Sequence, residues 1–200
     1  MKRKLEVVLE SLEGFKNPKI ELEQYVTPPK LAAFIVTNAK LLGDLNTTVV
    51  DLGCGTGILS IASSLLGAYS VGFDIDCEAV KIAKRNAKRL GVDVDFVVSR
   101  IEDVFVKEKV TTVMNPPFGI HRRHADKPFL QKAFEISDVI YTIHCAGSEK
   151  FVKSLAKSHG FEITHLWRFL IPLKKTYSFH EKPFRDIAVE VFRLKRRKGF

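Results

Sequence analysis

The sequence predicts an α/β fold in which a mainly parallel sheet carries helices on both faces. Three observations favour it. Short apolar runs with strand character alternate with longer segments of helical periodicity along most of the chain. A glycine-rich turn follows the first of these runs, and the last two runs follow each other with no helical pattern between them. Two strands in direct succession indicate an antiparallel hairpin at the end of the sheet.

Length and composition are those of an ordinary globular chain. The 200 residues are 46% hydrophobic and 28% charged, which excludes wholesale disorder, collagen-like and coiled-coil classes. No run of about 18 apolar residues occurs, and the basic start lacks the continuous apolar stretch of a signal peptide, so we expect a soluble, non-exported chain. The three cysteines form no CxxC pair, so we expect neither a disulfide framework nor a zinc site, and a reducing cytoplasm fits.

The first elements are predicted to be helical. Apolar residues between positions 5 and 12 follow the spacing of one helix face, and Gly14 ends that pattern. Two prolines in the segment EQYVTPPK, residues 23–30, prevent a helix there. Helical periodicity resumes over residues 31–41.

Seven apolar runs with strand character follow, and helical segments lie between most of them. The predicted strands cover residues 49–52, 70–73, 94–98, 110–114, 139–145, 161–171 and 187–194. The predicted helices cover residues 58–66, residues 78–90, a segment with Pro128 near its first turn, and residues 148–158.

The sequence VVDLGCGTG places Asp51 and three glycines at the end of the first core strand. Glycines there permit positive φ and let a ligand approach the backbone, and the following helix offers free N–H groups. The spacing GxGxG differs from the GxGxxG of dinucleotide binding, and no phosphate-loop Gly-Lys-Ser/Thr follows. Asp74, at the end of the second strand, can accept both hydroxyls of a ribose. We predict a nucleoside-cofactor site; the alternative is a structural turn with a solvated carboxylate.

The fourth core strand runs into Asn115, Pro116, Pro117 and Phe118. Two prolines fix φ and remove two N–H donors, so the turn presents carbonyl oxygens and the Asn115 side chain rigidly beside an aromatic ring. Two acceptors that bind the hydrogens of an exocyclic amine aim its lone pair at an electrophile, which is catalysis by positioning and electrostatics. The alternative is a tight turn at a strand end.

Together these motifs resemble the class I S-adenosylmethionine-dependent methyltransferases that act on amines, over nearly the whole chain. More narrowly, LEQYVTPP, DLGCGTG, GFDID, NPPFG and a late YSFH segment resemble the methyltransferase-like protein 5 family. The resemblance implies a Rossmann-like fold, N6-adenine methylation of small-subunit ribosomal RNA, and a small zinc-binding activator protein as partner. We predict one domain over residues 1–200, with residues 1–45 as a helical cap and cofactor lid and residues 46–200 as the catalytic core.

The resemblance also implies roles for individual residues. The target adenine is bound by Asn115, Pro116, Pro117 and Phe118. The cofactor S-adenosylmethionine is bound by Gln24, Thr27, Asp51, Gly53, Gly55, Thr56, Gly57, Asp74 and Ile101. Gln24 and Thr27 help to close over the cofactor, and Ile101 lies against its adenine ring. One departure is Arg100, where members of the family commonly have an acid.

The formal charge of +9, from 32 basic and 23 acidic residues, favours a polyanionic partner. Residues 2–4 supply three of these charges and residues 193–198 supply five, so the rest of the chain carries only +1. We expect both ends to contact RNA phosphates. Two further basic segments, residues 121–124 and 174–182, are candidate RNA contacts; the histidines of the first lack a third ligand, so no metal site is predicted.

The Asn-Pro-Pro-aromatic motif leaves the substrate open, because enzymes that methylate protein glutamine, the guanine 2-amino group or adenine in DNA share it. We predict an RNA adenine-N6 methyltransferase and expect no large target-recognition domain of the DNA-enzyme kind. Glutamine N5 methylation of a protein and guanine-N2 methylation of RNA remain alternatives. A non-enzymatic RNA-binding ribosome assembly factor is a third class, against which intact Asp74 and Asn115 argue.

Overall fold

A computed structural model of the chain describes residues 1–119, 124–174, 184–197 and 199. Its strands are β1 (Val49–Leu52), β2 (Ser70–Asp74), β3 (Asp95–Val98), β4 (Val110–Met114), β5 (Ser137–Cys145), β6 (Phe161–Lys174) and β7 (Phe184–Arg196). Its α-helices are α1 (Lys2–Glu10), α2 (Pro29–Leu41), α3 (Ile58–Leu65), α4 (Cys77–Leu90), α5 (Lys127–Ile136) and α6 (Glu149–Ser158). Short 3-10 turns cover Ile20–Leu22 and Ile101–Asp103.

The two basic segments predicted as RNA contacts lie mostly outside the described residues. The described residues do not include residues 121–123 of the first segment. They also do not include residues 175–182 of the second segment, which contains the YSFH motif. Lys198, at the end of the basic C-terminal segment, is also outside them.

The seven strands form one sheet in the order β3-β2-β1-β4-β5-β7-β6. Neighbouring strands from β3 to β5 pair in parallel, whereas β7 pairs antiparallel with both β5 and β6. Six strands therefore run in one direction and β7 runs in the other. The predicted fold class, a mainly parallel sheet that ends in an antiparallel hairpin, is confirmed.

The hairpin strands are longer than the apolar pattern predicted. β6 continues to Lys174 and β7 begins at Phe184, and these two residues are paired. Backbone pairing across an antiparallel ladder does not require apolar side chains, so the ladder extends beyond the buried stretch. The first helix likewise begins at Lys2, before the apolar pattern, because basic residues with long side chains are good helix formers at exposed positions.

Helices cover both faces of the sheet, and each face has its own apolar core. Buried residues of α1, α2, α3 and α4 form the core on one face, and buried residues of α5 and α6 form the core on the other. Successive residues of β1 alternate between them: Val49 belongs to the first core and Val50 to the second. A strand that is buried on both faces is apolar at nearly every position, which explains the short continuous apolar runs of the sequence.

The N-terminal cap is attached to the core by packing and by one buried asparagine. Leu5 and Leu9 of α1 are buried in the first core. Asn86 of α4 exchanges two hydrogen bonds with the backbone of Glu13, at 2.9 and 3.0 Å, and also donates to the carbonyl oxygen of Thr56 at 3.0 Å. One side chain thus joins the cap, the glycine turn and α4. The domain boundaries stay a prediction.

A buried ion pair joins the loop after α2 to the C-terminal hairpin. Arg193 donates from Nε and Nη2 to the two carboxylate oxygens of Asp44, at 2.8 Å each, and from Nη1 to Thr164 Oγ1 at 2.7 Å. The Tyr141 hydroxyl donates to Asp44 Oδ2 at 2.6 Å. Hydrogen bonding to Asp44 raises the pKa of Arg193, and burial raises the pKa of Tyr141.

This arrangement changes the interpretation of the basic C-terminal segment. The side chain of Arg193 is only 6% exposed, so the prediction that it contacts phosphates is wrong. Arg196 donates to Asp138 at 3.1 Å and to two backbone carbonyl groups at 2.7 Å each. Both guanidinium groups therefore hold the hairpin in place.

Cys54 is buried, Cys77 is exposed and Cys145 is half-buried, and none of the three is in a disulfide. Among the residues that the structure describes, no helix has both the length and the apolar character needed to cross a membrane. A cytoplasmic location stays a prediction.

We expect Asp44→Ala to lower the free energy of unfolding by about 3–5 kcal/mol, because the buried guanidinium of Arg193 loses the carboxylate that neutralises it. The matched control is Glu78→Ala, which breaks an exposed ion pair with Lys81 and should cost less than about 1 kcal/mol. Urea denaturation measures both. Equal losses in the two variants would contradict a special role for the buried pair.

Candidate active site

The carboxyl ends of β1, β2 and β4 meet at one edge of the sheet, because β1 lies in parallel between the other two. Asp51 lies within β1, Asp74 ends β2, and Asn115 directly follows β4. Open α/β sheets bind their ligands outside this edge. Here the edge opens into a cavity of about 460 Å³, within the size range of ligand pockets.

Most of the predicted site residues line this cavity. From the predicted cofactor set, the lining residues are Gln24, Thr27, Asp51, Gly53, Gly55, Thr56, Asp74 and Ile101. From the predicted base-binding set, they are Asn115 and Pro117. Pro116 is buried, and Phe118 packs partly buried against the first apolar core, so neither is among the lining residues. The binding role of each of these residues stays a prediction.

Two positions of the turn, 55 and 57, require glycine for different structural reasons. Gly57 has a φ of 88° at the start of α3, and a Cβ there would lie 2.8 Å from the ring of Phe96. Gly57 therefore allows α3 to pack against the sheet, and it is not among the residues that line the cavity. Gly55 has a φ of 53°, and its N–H donates to Asp74 Oδ2 at 2.7 Å. A Cβ on Gly55 would lie 2.8 Å from the ring of Phe15, which also lines the cavity.

Two carboxylates give the cavity its electrostatic character. Asp51 is 2% exposed, and its Oδ2 accepts from the N–H and the hydroxyl of Ser60, at 3.0 and 2.6 Å. Burial raises the pKa of Asp51 to about 7 in spite of these hydrogen bonds. Burial also raises the pKa of Asp74, whose Oδ1 accepts from the N–H of Asp76 at 2.8 Å. A cavity with two partly desolvated carboxylates favours a cationic ligand.

Residues 19–27, here called the lid segment, cover one side of the cavity. Gln24 donates from Nε2 to Asp76 Oδ2 at 2.7 Å, and Lys19 lies 2.8 Å from Asp76 Oδ1. Burial acts to raise the pKa of Asp76, but hydrogen bonds from Lys19 and Gln24 outweigh it and hold that pKa below its ordinary value. The lid segment is thus attached to the loop that follows β2.

The lid segment is also attached to the turn that follows β4. Asn115 donates from Nδ2 to Thr27 Oγ1 at 3.1 Å, and the N–H of Gly119 donates to Glu23 Oε2 at 3.0 Å. Asn115 Oδ1 is buried and accepts no hydrogen bond from any residue that the structure describes. Because buried acceptors are almost always satisfied, this atom indicates a place where a ligand donates.

Several lining residues were missed by the sequence analysis. Ile75 directly follows Asp74 and could have been inferred from that position. Tyr25 likewise lies next to the predicted Gln24, whereas Phe15 and Phe129 carry no such signal, because segments distant in sequence bring them to the cavity. Arg100 also lines the cavity. Its Nε lies 3.5 Å from Oε2 of Glu102, and both side chains are exposed.

These groups fit S-adenosylmethionine. Asp51 suits the positive charge of the methionine part, and the Asp74 carboxylate keeps a lone pair for ribose hydroxyls beyond those that accept from backbone N–H groups. Ile75 and Ile101 provide apolar surface for an aromatic base, and Gly53 and Gly55, which have no side chain, bring the backbone of the turn to the cavity.

Comparison with known proteins places the chain in a family. Residues 37–115 match the family model of ribosomal protein L11 methyltransferase (PrmA). An uncharacterized protein of Methanocaldococcus jannaschii is 43% identical over 98% of this chain and 94% of its own length. The rRNA N(6)-adenosine-methyltransferase Mettl5 of Drosophila melanogaster is 35% identical over 96% of this chain and 95% of that protein.

Solved structures agree with this relationship. The crystal structure of a Pyrococcus horikoshii protein, 39% identical, superposes with a TM-score of 0.91 and covers 98% of this chain and 97% of that one. The protein is therefore an S-adenosylmethionine-dependent methyltransferase, as the motifs predicted. The chain belongs to the methyltransferase-like protein 5 family of the class I enzymes.

Proposed function

We propose that the protein methylates N6 of adenosine in RNA, and that small-subunit ribosomal RNA is its natural substrate. The observation that carries this proposal is the buried Oδ1 of Asn115, just after β4, which has no hydrogen-bond partner among the described residues. An exocyclic amine is a hydrogen donor of the kind this acceptor lacks. The name of the Drosophila melanogaster relative, an rRNA N(6)-adenosine-methyltransferase, supports the same substrate.

The cofactor, when bound, supplies a methyl group on a positively charged sulfur. Asp51 balances positive charge in the methionine part, and Asp74 accepts the ribose hydroxyls. Gly53, Gly55, Thr56 and Gly57 form the turn that would hold the methionine part, and Gly57 would act there through the start of α3. Gln24, Thr27 and Ile101 complete the enclosure, which excludes water from the reacting atoms.

The turn after β4 prepares the amine. Asn115 Oδ1 and the Pro116 carbonyl oxygen accept the two N6 hydrogens, which favours a pyramidal nitrogen and directs its lone pair away from the ring. Pro117 keeps the turn rigid, and Phe118, which is only partly buried against the first apolar core, packs against the outer side of the base after the base has left the RNA stack. No general base is needed, because the nitrogen is cationic after methyl transfer and its proton then leaves to water.

A row of lysines on α6 supports RNA as the partner. Lys150, Lys153 and Lys157 are exposed on one side of the helix, and none forms an ion pair with a residue that the structure describes. The ring of Phe151 lies 5.9 Å from that of His124, which lines the cavity. The row therefore begins beside the site, where it can contact RNA phosphates that flank the target base.

We also propose that the small zinc-binding activator docks on β3. This strand is at the edge of the sheet and pairs only with β2 among the described strands. Val97 and Val98 on it are 41% and 52% exposed. An open parallel edge with exposed valines accepts an added strand from a partner, which would cover both its backbone groups and its apolar surface.

Asn115→Ala should lower kcat by about 10²–10³-fold, because the reacting amine loses one acceptor. Cofactor binding should be retained. Labelled S-adenosylmethionine with small-subunit ribosomal RNA, followed by mass spectrometry of nucleosides, measures the transfer. Asn38→Ala is the matched control, since among the described residues that side chain donates to the Phe34 carbonyl of its own helix, α2, and does not line the cavity. Unchanged turnover, or label in N2-methylguanosine or in protein, would contradict the proposal.

Cofactor affinity should rise with pH and level off above about 7, the pKa to which burial raises Asp51. Below that pKa the free protein holds a proton that a cationic ligand must displace, so affinity falls by at most about tenfold per pH unit. Asp51→Asn should flatten the profile, and the exposed Asp93→Asn should leave it unchanged. Calorimetric titration on both sides of pH 7 measures this; a wild-type profile in Asp51→Asn would exclude Asp51 as the titrating group.

Replacing Lys153 and Lys157 together by Gln should reduce the slope of log Kd for RNA against log salt by about 1.4–1.8. Cofactor affinity should not change. The matched control replaces Lys84 and Lys88, an exposed pair with the same spacing on α4. Binding assays with small-subunit ribosomal RNA at several salt concentrations measure the slopes. Equal reductions in the two double variants would show that only total charge matters.

A further inference from the structure

The lid segment, residues 19–27, reaches both halves of the active site. On the cofactor side, Lys19 and Gln24 bind Asp76, whose N–H in turn donates to Asp74. On the base side, Thr27 and Glu23 bind the turn that follows β4. The resemblance of the sequence implies only the first connection, in which the segment closes over the cofactor.

Thr27 binds the donor end of the Asn115 amide, so that the acceptor end is left to face the cavity. An asparagine amide has a donor end and an acceptor end, and only the acceptor end can receive a hydrogen from an amine. Thr27 Oγ1 accepts from Nδ2 at 3.1 Å, which leaves Oδ1 for the substrate. The reversed amide would place its NH₂ group against the amine that it has to bind.

Thr27 itself has little freedom. It is 4% exposed and precedes Pro28 and Pro29, which lie at the start of α2. A residue before a proline is restricted to extended conformations, and the helix that follows fixes its direction. The Asn115 amide is thus oriented by a rigid group.

Glu23 holds the other end of the same turn. Its backbone has a φ of 48°, a left-handed conformation that costs a non-glycine residue energy and persists only where the surroundings enforce it. Its side chain is buried at 8% exposure and accepts from the N–H of Gly119. The turn offers few other donors, because Pro116 and Pro117 have no N–H.

We propose that Thr27 and Glu23 are positioning residues for the turn of residues 115–119, and that cofactor binding under the lid segment pre-organises the base site through them. A cofactor that contacts the lid segment favours the arrangement in which both hydrogen bonds exist. By linkage, RNA must then also favour cofactor binding. The reciprocal effect of RNA on cofactor binding rests on the proposed function, whereas the coupling between the cofactor and the turn does not.

Hydrogen exchange tests the coupling without RNA. S-adenosylhomocysteine should slow exchange of the amide hydrogens in the turn of residues 115–119, which are those of Asn115, Phe118 and Gly119, by about 5–150-fold in the wild type. In Glu23→Ala it should slow exchange in the glycine turn, residues 53–57, but no longer at residues 115–119. Glu23→Gln, which keeps an acceptor, should restore the effect, and the exposed Glu10→Ala should behave as wild type. Wild-type protection of residues 115–119 in Glu23→Ala, or none in the wild type, would overturn the proposal.

Kinetics test Thr27. Thr27→Val keeps the shape but not the acceptor, so at saturating cofactor it should lower kcat by about 10–100-fold, within the range for a misplaced catalytic group. Thr27→Ser should restore most of the loss. If Thr27 acted only on the cofactor, Thr27→Val would raise the cofactor KM and leave kcat unchanged, and that result would overturn this role.

The exchange and kinetic experiments together distinguish failure of this inference from failure of the proposed function. Exchange protection that depends on Glu23, together with a methylated product other than N6-methyladenosine, would retain the coupling and reject the substrate. If Thr27→Val formed N6-methyladenosine with the wild-type kcat, the proposed substrate would be retained and the positioning role of Thr27 would be rejected. Thermal denaturation of each variant ensures that losses are compared between folded proteins.

Discussion

The parallel pairing of β1 with β2 and with β4 is the constraint on which the site depends. Leu52 pairs with Phe73 on one side, and Asp51 pairs with Val113 on the other. Because all three strands run in the same direction, the residues at their carboxyl ends emerge at one edge. The proposed cofactor site after β1 and β2 and the proposed amine site after β4 are therefore neighbours, although they are separate motifs in the sequence. The reaction needs that proximity, since the methyl group must pass directly between them.

The site retains polar groups that a purely structural core would avoid. Burial raises the pKa of Asp51 and of Asp74, and Asn115 Oδ1 has no partner among the described residues. Such groups destabilise the free protein, and a ligand that supplies positive charge and hydrogen donors offsets that cost. The strained backbone of Glu23 belongs to the same pattern. Stability is provided elsewhere, chiefly by the two apolar cores on the faces of the sheet.

Net charge alone did not identify the surface that is available to RNA. The C-terminal segment contributes five positive charges, yet Arg193 and Arg196 bind carboxylates and carbonyl groups of the fold. The lysines of α6 form no ion pair with a described residue and begin beside the cavity. A guanidinium that is enclosed and neutralised contributes nothing to counterion release, so only the positions of the charges decide which of them bind phosphate.

The sequence by itself determined the order of strands and helices, the glycine turn, Asp74 and the Asn-Pro-Pro-Phe turn, because local periodicity, proline and glycine carry those signals. It also indicated the final hairpin, although not the full length of β6 and β7. Only the tertiary structure decided that Phe118 and Pro116 lie outside the cavity lining, and that Phe15 and Phe129 line it. It also decided that Arg193 is buried. These contacts join residues far apart in the chain, and no local pattern encodes which distant groups packing will bring together.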